Sequence, residues 1–233
     1  MALDSNAKPA QYVILGAGGH AREVFDVLTA AQEAGEPLEV MGFLDDDPKK
    51  WRQVLNGVPI LEGLTWMSQR EPGAQIGICG IGKPLARMQA VARYTKAGLP
   101  FGLAVHPRAT VTKFVDIGEG AVLTAGCVLT NRINLGRHVH VNLNATIGHD
   151  CSIGDYCTIA PGANISGNVR LGMGVDVGTG AAILQGLSIG DWAIIGAGAV
   201  VISDIPAGAT AVGVPARVIK VSELPDIQGE CSK

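Results

Sequence analysis

Residues 109–204 read ATVTKF VDIGEG AVLTAG CVLTNR INLGRH VHVNLN ATIGHD CSIGDY CTIAPG ANISGN VRLGMG VDVGTG AAILQG LSIGDW AIIGAG AVVISD, sixteen hexads without a break. Each hexad is apolar at its first position, from Ala109 and Val115 to Ala199, and at its third, from Val111 and Ile117 to Val201. An α-helix turns once in 3.6 residues and cannot keep one apolar face at a period of six. A chain that makes a short strand and then a corner in every hexad can, and this is the pattern of a parallel β-helix solenoid. A β-sandwich also has short strands, but nothing in it holds one register over sixteen hexads.

Glycine supplies a second period. Gly118, Gly136, Gly154, Gly172 and Gly190 stand eighteen residues apart, so three strands and three corners make one triangular coil. The 96 residues then give between five and six coils. The glycines stack along one corner row, where the lack of a Cβ permits unusual dihedrals or close backbone approach. Small first-position residues alternate with Ile, Leu or Val at third positions, as a narrow close-packed interior requires. Each coil touches only its neighbours, so both ends need caps. The domain upstream can cover one end. Residues 205–221 lose the repeat and contain Pro206, Gly208, Gly213 and Pro215, so they are expected to form an irregular cap at the other.

The change of period near residue 105 divides the chain into a leader (1–10), an α/β domain (11–105), the β-helix with its cap (106–220) and a tail (221–233). Tyr12 to Leu15 reads as a buried strand running into Gly16-Ala17-Gly18-Gly19-His20, then a helix to about Ala34. Leu38 to Leu44 and Gln75 to Cys79 are further strands, and Pro84 to Lys96 a further helix. This alternation predicts a small parallel, Rossmann-like sheet.

The glycine loop points backbone N–H groups toward a phosphate at the helix N-terminus. Gly16, Gly18, Gly19 and His20 are therefore candidate nucleotide-sugar contacts. The full G-x-G-x-x-G fingerprint is broken by Ala21, and a plain βα connection looks similar. Asp45 and Asp46 follow the second strand, where a carboxylate can meet a ribose hydroxyl or a base edge. Alone they would read as a solvated turn before Pro48; beside the glycine loop they favour nucleotide binding. A domain of this length with a broken fingerprint argues against a nicotinamide dehydrogenase.

Eighteen basic and twenty-one acidic residues give a net charge of −3, which is no footprint for nucleic acid. No apolar run reads as a membrane span. Cys127, Cys151 and Cys157 fall on inward first positions, and no C-x-x-C pair occurs, so a reducing, cytoplasmic setting without disulfides is expected. His138, His140 and His149 are near in sequence, but successive faces of a prism point apart, so no metal site is expected.

Five segments together resemble the bacterial hexapeptide-repeat sugar acyltransferases, in particular the nucleotide-aminosugar N-acetyltransferase and sialic-acid O-acetyltransferase group. They are YVILGAGGHAREVFDVL (12–28), GFLDDDP (42–48), HPRATV (106–111), the hexads, and AVGVPARVI (211–219). The resemblance implies a left-handed β-helix, acetyl-CoA as cosubstrate, a homotrimer with active sites between neighbouring prisms, and a solenoid histidine as general base followed by an acidic residue. His149 and Asp150 match that pair, Asn142 a polar active-site position, and Gly167 the glycine whose backbone approaches the acetyl group. Family members often carry a second histidine nine residues after the base, where this chain has Thr158.

The chemistry that follows is acetyl transfer to the free amine of a nucleotide-linked amino sugar. An imidazole accepts a proton near neutrality, Asp150 would orient it, and the Gly167 N–H would stabilise the oxyanion. Direct attack on the thioester suffices, without an acyl-enzyme. One of His138 and His140 would line the neighbouring subunit's side of the same cleft, or both would be surface residues at a trimer contact. Gly178, Gly180, Gly196 and Gly198 thin the later coils for pantetheine, and Arg217 and Lys220 would meet the CoA phosphates. O-acetylation of sialic acid or another sugar is the alternative enzyme. A catalytically inactive nucleotide-sugar-binding protein is the non-enzymatic alternative, kept open by Thr158.

Overall fold

The computed structural model describes residues 8–226. Residues 1–7 of the leader and 227–233 of the tail, with Cys231, lie outside them. In the first domain β1 (Ala10–Leu15) leads into α1 (Gly19–Glu33) and β2 (Leu38–Leu44). A hairpin of β3 (Val54–Leu55) and β4 (Val58–Leu61) follows, then the short α2 (Gly63–Met67), β5 (Ile76–Cys79) and α3 (Pro84–Lys96). The sheet order is β3-β4-β2-β1-β5. All its pairs are parallel except the β3/β4 hairpin at the edge, which the pattern of the sequence does not announce. The chain steps from β1 to β2 on one side and later to β5 on the other, so the strand order reverses beside β1. In open α/β sheets ligands bind outside the strand ends at such a point.

The third glycine of the broken fingerprint serves close helix–strand packing, and Ala21 cannot do so unaided. Gly80 takes over the task. A Cβ built on Gly80 would stand 2.6 Å from Ala21 Cα, so the glycine after β5 lets α1 lie close where Ala21 would hold it off.

The domain ends at Phe101, bridged to Gly77. The prism begins at Ala104–Val105, which pair in parallel with Val122–Leu123 one coil on. From there the strands stack into three sheets, one per prism face. Register is eighteen residues throughout, as in Val128↔Thr146↔Asn164↔Ala182. First- and third-position residues form one continuous buried core, including Cys127, Cys151 and Cys157. Burial pushes the Cys157 thiol up to about 12 and that of Cys127 to about 11, so neither is a nucleophile near neutrality.

The corners use glycine in two ways. At the fourth hexad position the need is close approach: a Cβ on Gly118 or Gly154 would fall 2.6 Å from backbone of the next coil. The left-handed dihedrals fall instead at the sixth position of every hexad from Gly120 to Gly198, including Arg132, His138, Asn144, Asp150 and Trp192.

The far end is more regular than expected. Ala209–Val212 continues one sheet by pairing in parallel with Ile194–Ile195, and Arg217–Val221 folds back on it antiparallel. The segment lost the hexad spacing but kept two strands, because a hairpin can satisfy the open edge of the last coil.

Candidate active site

His149 stands at a corner between two prism faces, at the fifth position of its hexad, with 62% of its side chain exposed. Asp150 follows at φ 58°, and this left-handed turn brings two adjacent side chains together: His149 Nδ1 lies 2.8 Å from Asp150 Oδ2. Arg132, one coil below, reaches the other carboxylate oxygen at 3.4 Å. With Nδ1–H donated to Asp150, Nε2 is the bare nitrogen. It leans over Gly167, where a Cβ would stand 2.7 Å from both Nε2 and Cε1. The Gly167 carbonyl accepts from Gly186 N–H, whereas its own N–H makes no backbone hydrogen bond among the described residues. The imidazole, the carboxylate and the Gly167 N–H therefore share one corner.

Gly167 is not in the left-handed region, so alanine fits its backbone while the added methyl drives the imidazole away. Gly167→Ala is expected to lower the turnover rate roughly 10- to 100-fold with an unchanged melting temperature. A wild-type rate would show that the ring need not rest there.

Asn142 is placed differently from the expectation. It is buried, and its side-chain amide donates to Ile159 O at 2.9 Å, a rung of the corner rather than a group turned to the cleft.

The glycine loop makes the tight turn into α1 that its sequence implies. Gly16 sits at φ 89°, and α1 begins after Gly18 without a side-chain cap, leaving the first N–H groups of the helix open. Asp45 is spent on the loop itself: it accepts from Ala17 N–H and Asp47 N–H and pairs with Lys50 at 2.9 Å. Asp46 accepts from Tyr94 Oη at 3.0 Å and pairs with Arg93 at 2.8 Å. Burial, followed by Asp46, raises the Tyr94 pKa, so the phenol stays a donor. These groups and Gly16 line a cavity of about 160 Å³ at the reversal of strand order. A larger open groove of about 580 Å³ near the far end of the prism, along Arg170, Ser188 and Asp204, holds none of the candidate residues.

His138 and His140 are buried in a joint between the two domains rather than exposed at a trimer contact, and His20 joins them there. His140 is fully buried, with Nδ1 at 2.9 Å from His20 Nε2 and 3.2 Å from Arg87 Nη1. His138 stacks on Tyr156 and meets the edge of Phe101. Nothing in the charge pattern singled out Arg87, yet it is the centre of this joint. Its guanidinium is wholly buried and donates to Ile81 O, Gly82 O, Tyr156 O, Cys157 O and Thr158 Oγ1. Burial lowers its pKa to about 10, still charged at neutrality. A signal was present: Arg87 falls on the buried stripe of α3 with Pro84, Met88, Val91 and Tyr94. Thr158 belongs to the same joint, donating to Gly82 O at 3.0 Å. Thr158, where relatives often carry a second histidine, is thus a docking residue here.

Burial and nearby Arg87 hold His138 at a pKa of about 4, below its ordinary 6.5, and hold His140 well below as well. The folded state refuses protons that the unfolded chain accepts. The joint is therefore at full strength above about 6.5 and weakens as pH falls toward 4. The melting temperature is expected to drop over that range, and less so in His138→Phe.

Of the CoA candidates, Gly178 and Gly196 are close-approach glycines, with a Cβ 2.6 Å from Ala197 N and 2.7 Å from Val212 Cγ1. Gly180 and Gly198 are left-handed corner residues with open space beyond. Coil geometry alone explains all four, and they stand on a different corner from His149. Arg217 donates to Ala216 O, and Lys220 is exposed on the cap strand. Among the described residues no group of three or more His, Cys, Asp or Glu side chains could hold a metal ion.

Residues 11–94 match the PglD N-terminal domain, and residues 132–167 match the bacterial transferase hexapeptide model of six repeats. Perosamine N-acetyltransferase from Caulobacter crescentus, solved as a histidine-to-asparagine mutant with CoA and GDP-perosamine, is 31% identical with a TM-score of 0.84; the match covers 91% of this chain and 97% of that one. The chain belongs to the hexapeptide-repeat nucleotide-sugar N-acetyltransferases. The acetyltransferase domain of PglB from Neisseria gonorrhoeae, solved with acetyl coenzyme A, is 33% identical with a TM-score of 0.83, over 91% of this chain and all (100%) of that one. WeeI from Acinetobacter baumannii is 32% identical with a TM-score of 0.82, over 90% and 100%. No match to a curated protein was found. The triangular coil of this family is left-handed, as the matched acetyltransferases are.

Proposed function

We propose that His149 takes the proton from the acceptor amine through Nε2, with Asp150 fixing the ring through Nδ1 and the Gly167 N–H receiving the developing oxyanion. The reaction of this protein is acetyl-CoA-dependent N-acetylation of a nucleotide-linked amino sugar. The observation that carries the assignment of roles is the His149–Asp150 pair at 2.8 Å with its bare nitrogen over Gly167. The amine attacks the thioester carbonyl, the C–S bond breaks, and CoA leaves as the thiol with the proton relayed by His149. Neither sialic-acid O-acetylation nor an inactive binding protein is required, and the latter loses its ground because Thr158 has a structural task.

The acceptor nucleotide would lie along the Gly16–Gly19 loop, with its base or ribose in the cavity beside Asp46, Arg93 and Tyr94. A panel of UDP-, GDP- and dTDP-linked amino sugars should give CoA release and an amide, read by mass spectrometry, with at least one member. Acetylation of hydroxyl acceptors alone would defeat this reading.

The active assembly would be a homotrimer. His149 and the CoA glycines stand on different corners of one prism, so a cleft holding both is completed by a second prism, and three copies close around an axis. Light scattering that shows a stable monomer would remove the intersubunit site. No helix among the described residues is long and apolar enough to cross a membrane. The free, buried Cys79, Cys127, Cys151 and Cys157 support a reducing, cytoplasmic setting.

A further inference from the structure

Two arginine–aspartate pairs cross the coils of the prism at a spacing of eighteen residues, and they are built differently. Arg137 and Asp155 are closed on each other: Nε and Nη2 donate to Oδ2 at 2.9 and 2.8 Å, and the Arg137 backbone N–H donates to Oδ1 at 2.7 Å. Arg132 and Asp150, at the His149 corner, meet only through Nε at 3.4 Å. Charge-assisted contacts are ordinarily ~2.7–2.9 Å, so this pair is loose. Asp150 turns its other oxygen to His149. Neither Nη of Arg132 has a hydrogen-bond partner among the described residues, and the side chain is 78% exposed. The planar fork that suits a phosphate is unspent.

The same corner is polarised along its length. Toward the C-terminal end Gly167 presents its N–H, and Leu184 and Ile202 lie exposed beyond it. Corner positions 166–168, 184–186 and 202–204 hold no lysine or arginine. Toward the N-terminal end stand Arg132, one coil below Asp150, and Lys113, one coil below Asn131, with its ammonium 5.0 Å over the Phe114 ring. The acetyl group belongs on the Gly167 side, which leaves the cationic side to the acceptor.

We propose that Arg132 binds the sugar-side phosphate of the acceptor's diphosphate while His149 of the same prism receives the amine. The inference deepens the proposed function and rests on its acceptor and its base. Neighbouring coils stand ~4.8 Å apart. One sugar ring separates amine from phosphate, so the phosphate of an acceptor seated at His149 falls within reach of the arginine stem one coil below. A guanidinium gives that phosphate two parallel N–H···O bonds, which an ammonium cannot match. The contact comes from the prism because of where the domains stand. The α/β domain covers the face of Val122, His140 and Thr158, and the His149 corner lies away from that face, between the strands of Thr146 and Ser152. In the proposed trimer the nucleoside is held by the α/β domain of a neighbouring copy, and Arg132 clamps the end that carries the sugar.

Kinetics use a nucleotide-linked amino sugar of the panel that the wild type acetylates, with the matching nucleoside diphosphate and monophosphate as inhibitors. Arg132→Gln keeps the stem and loses the charge. It is expected to raise the KM for the acceptor roughly 3- to 30-fold, the lower part of what a charge-assisted hydrogen bond supplies because the arginine is exposed. The kcat should change little. Inhibition by the diphosphate should weaken by the same factor, and inhibition by the monophosphate, which lacks the sugar-side phosphate, should stay as it was. Arg132→Lys should recover part of the loss. A lower kcat with KM and both inhibition constants unchanged would mean that the arginine acts through Asp150, and overturns the proposal. Equal weakening of both inhibitors, or wild-type constants throughout, overturns it too. A wild type that acetylates no nucleotide-linked amino sugar is a separate result, which removes the acceptor reading itself and this inference with it.

Discussion

His149→Ala is expected to lower the rate of amide formation by ~100- to 10,000-fold, the range for loss of a well-placed general base. The fold should survive, because the His149 side chain is 62% exposed and meets Asp150 and the Gly167 surface outside the prism core. No apolar contact of the core is lost. Acetyl-CoA binding should change little, since the residues proposed for CoA stand on another corner. The decisive measurement is the pH–rate profile of both proteins with one amino-sugar acceptor: the wild type should gain rate as the base loses its proton, and the variant should lack that limb. A wild-type rate and profile in the variant would remove His149 from the mechanism. Asp150→Asn should cost less, because the amide can still hold the ring while losing the charge that supports its protonated form. A greater loss than in His149→Ala would make the carboxylate the base.

Arg87→Ala is expected to cost about 3–5 kcal/mol of stability, the range for removing a buried charged group with several hydrogen-bond partners. Five acceptors lose the Arg87 donor, two backbone carbonyls of the loop after β5 and two of the prism among them, although Cys157 O keeps His140 N–H and Gly82 O keeps the Thr158 hydroxyl. Dry burial makes the lost contacts costly. Chemical denaturation should show the loss, and the first domain should melt apart from the prism. Arg87→Lys should recover only part, since one ammonium cannot reach acceptors on both domains at once. A cost below ~1 kcal/mol would mean that the apolar contacts of α1 with Ala104 and Val122 carry the joint without the guanidinium.

The sequence by itself determined the prism, because a period of six with a coil of eighteen has one physical solution. Each third-position residue had to be inside, and Ile147, Ile159 and Val177 are. It also determined β1, the glycine loop, α1, β2 and α3 to within a residue or two, since strand-length apolar runs, glycine and helical periodicity are local signals. The His149–Asp150 pair was legible only as a pattern; what joins the two side chains is the left-handed corner at Asp150. Period alone could not say that the sixth position of the hexad is the one that turns that way.

Tertiary structure alone decided everything that depends on which prism face the first domain covers. Val122, His140, Thr158 and Asp176 form one outward ladder eighteen residues apart. The first three lie beneath the α/β domain, so two residues that resembled cleft and site positions became docking groups. His20 was drawn into contact with the joint in the same way, and Asn142 into a corner rung. The physical reason is one of reach. Periodicity fixes whether a side chain points in or out of its own element. What an outward side chain meets is set by contacts between residues such as Arg87 and Thr158, seventy-one positions apart.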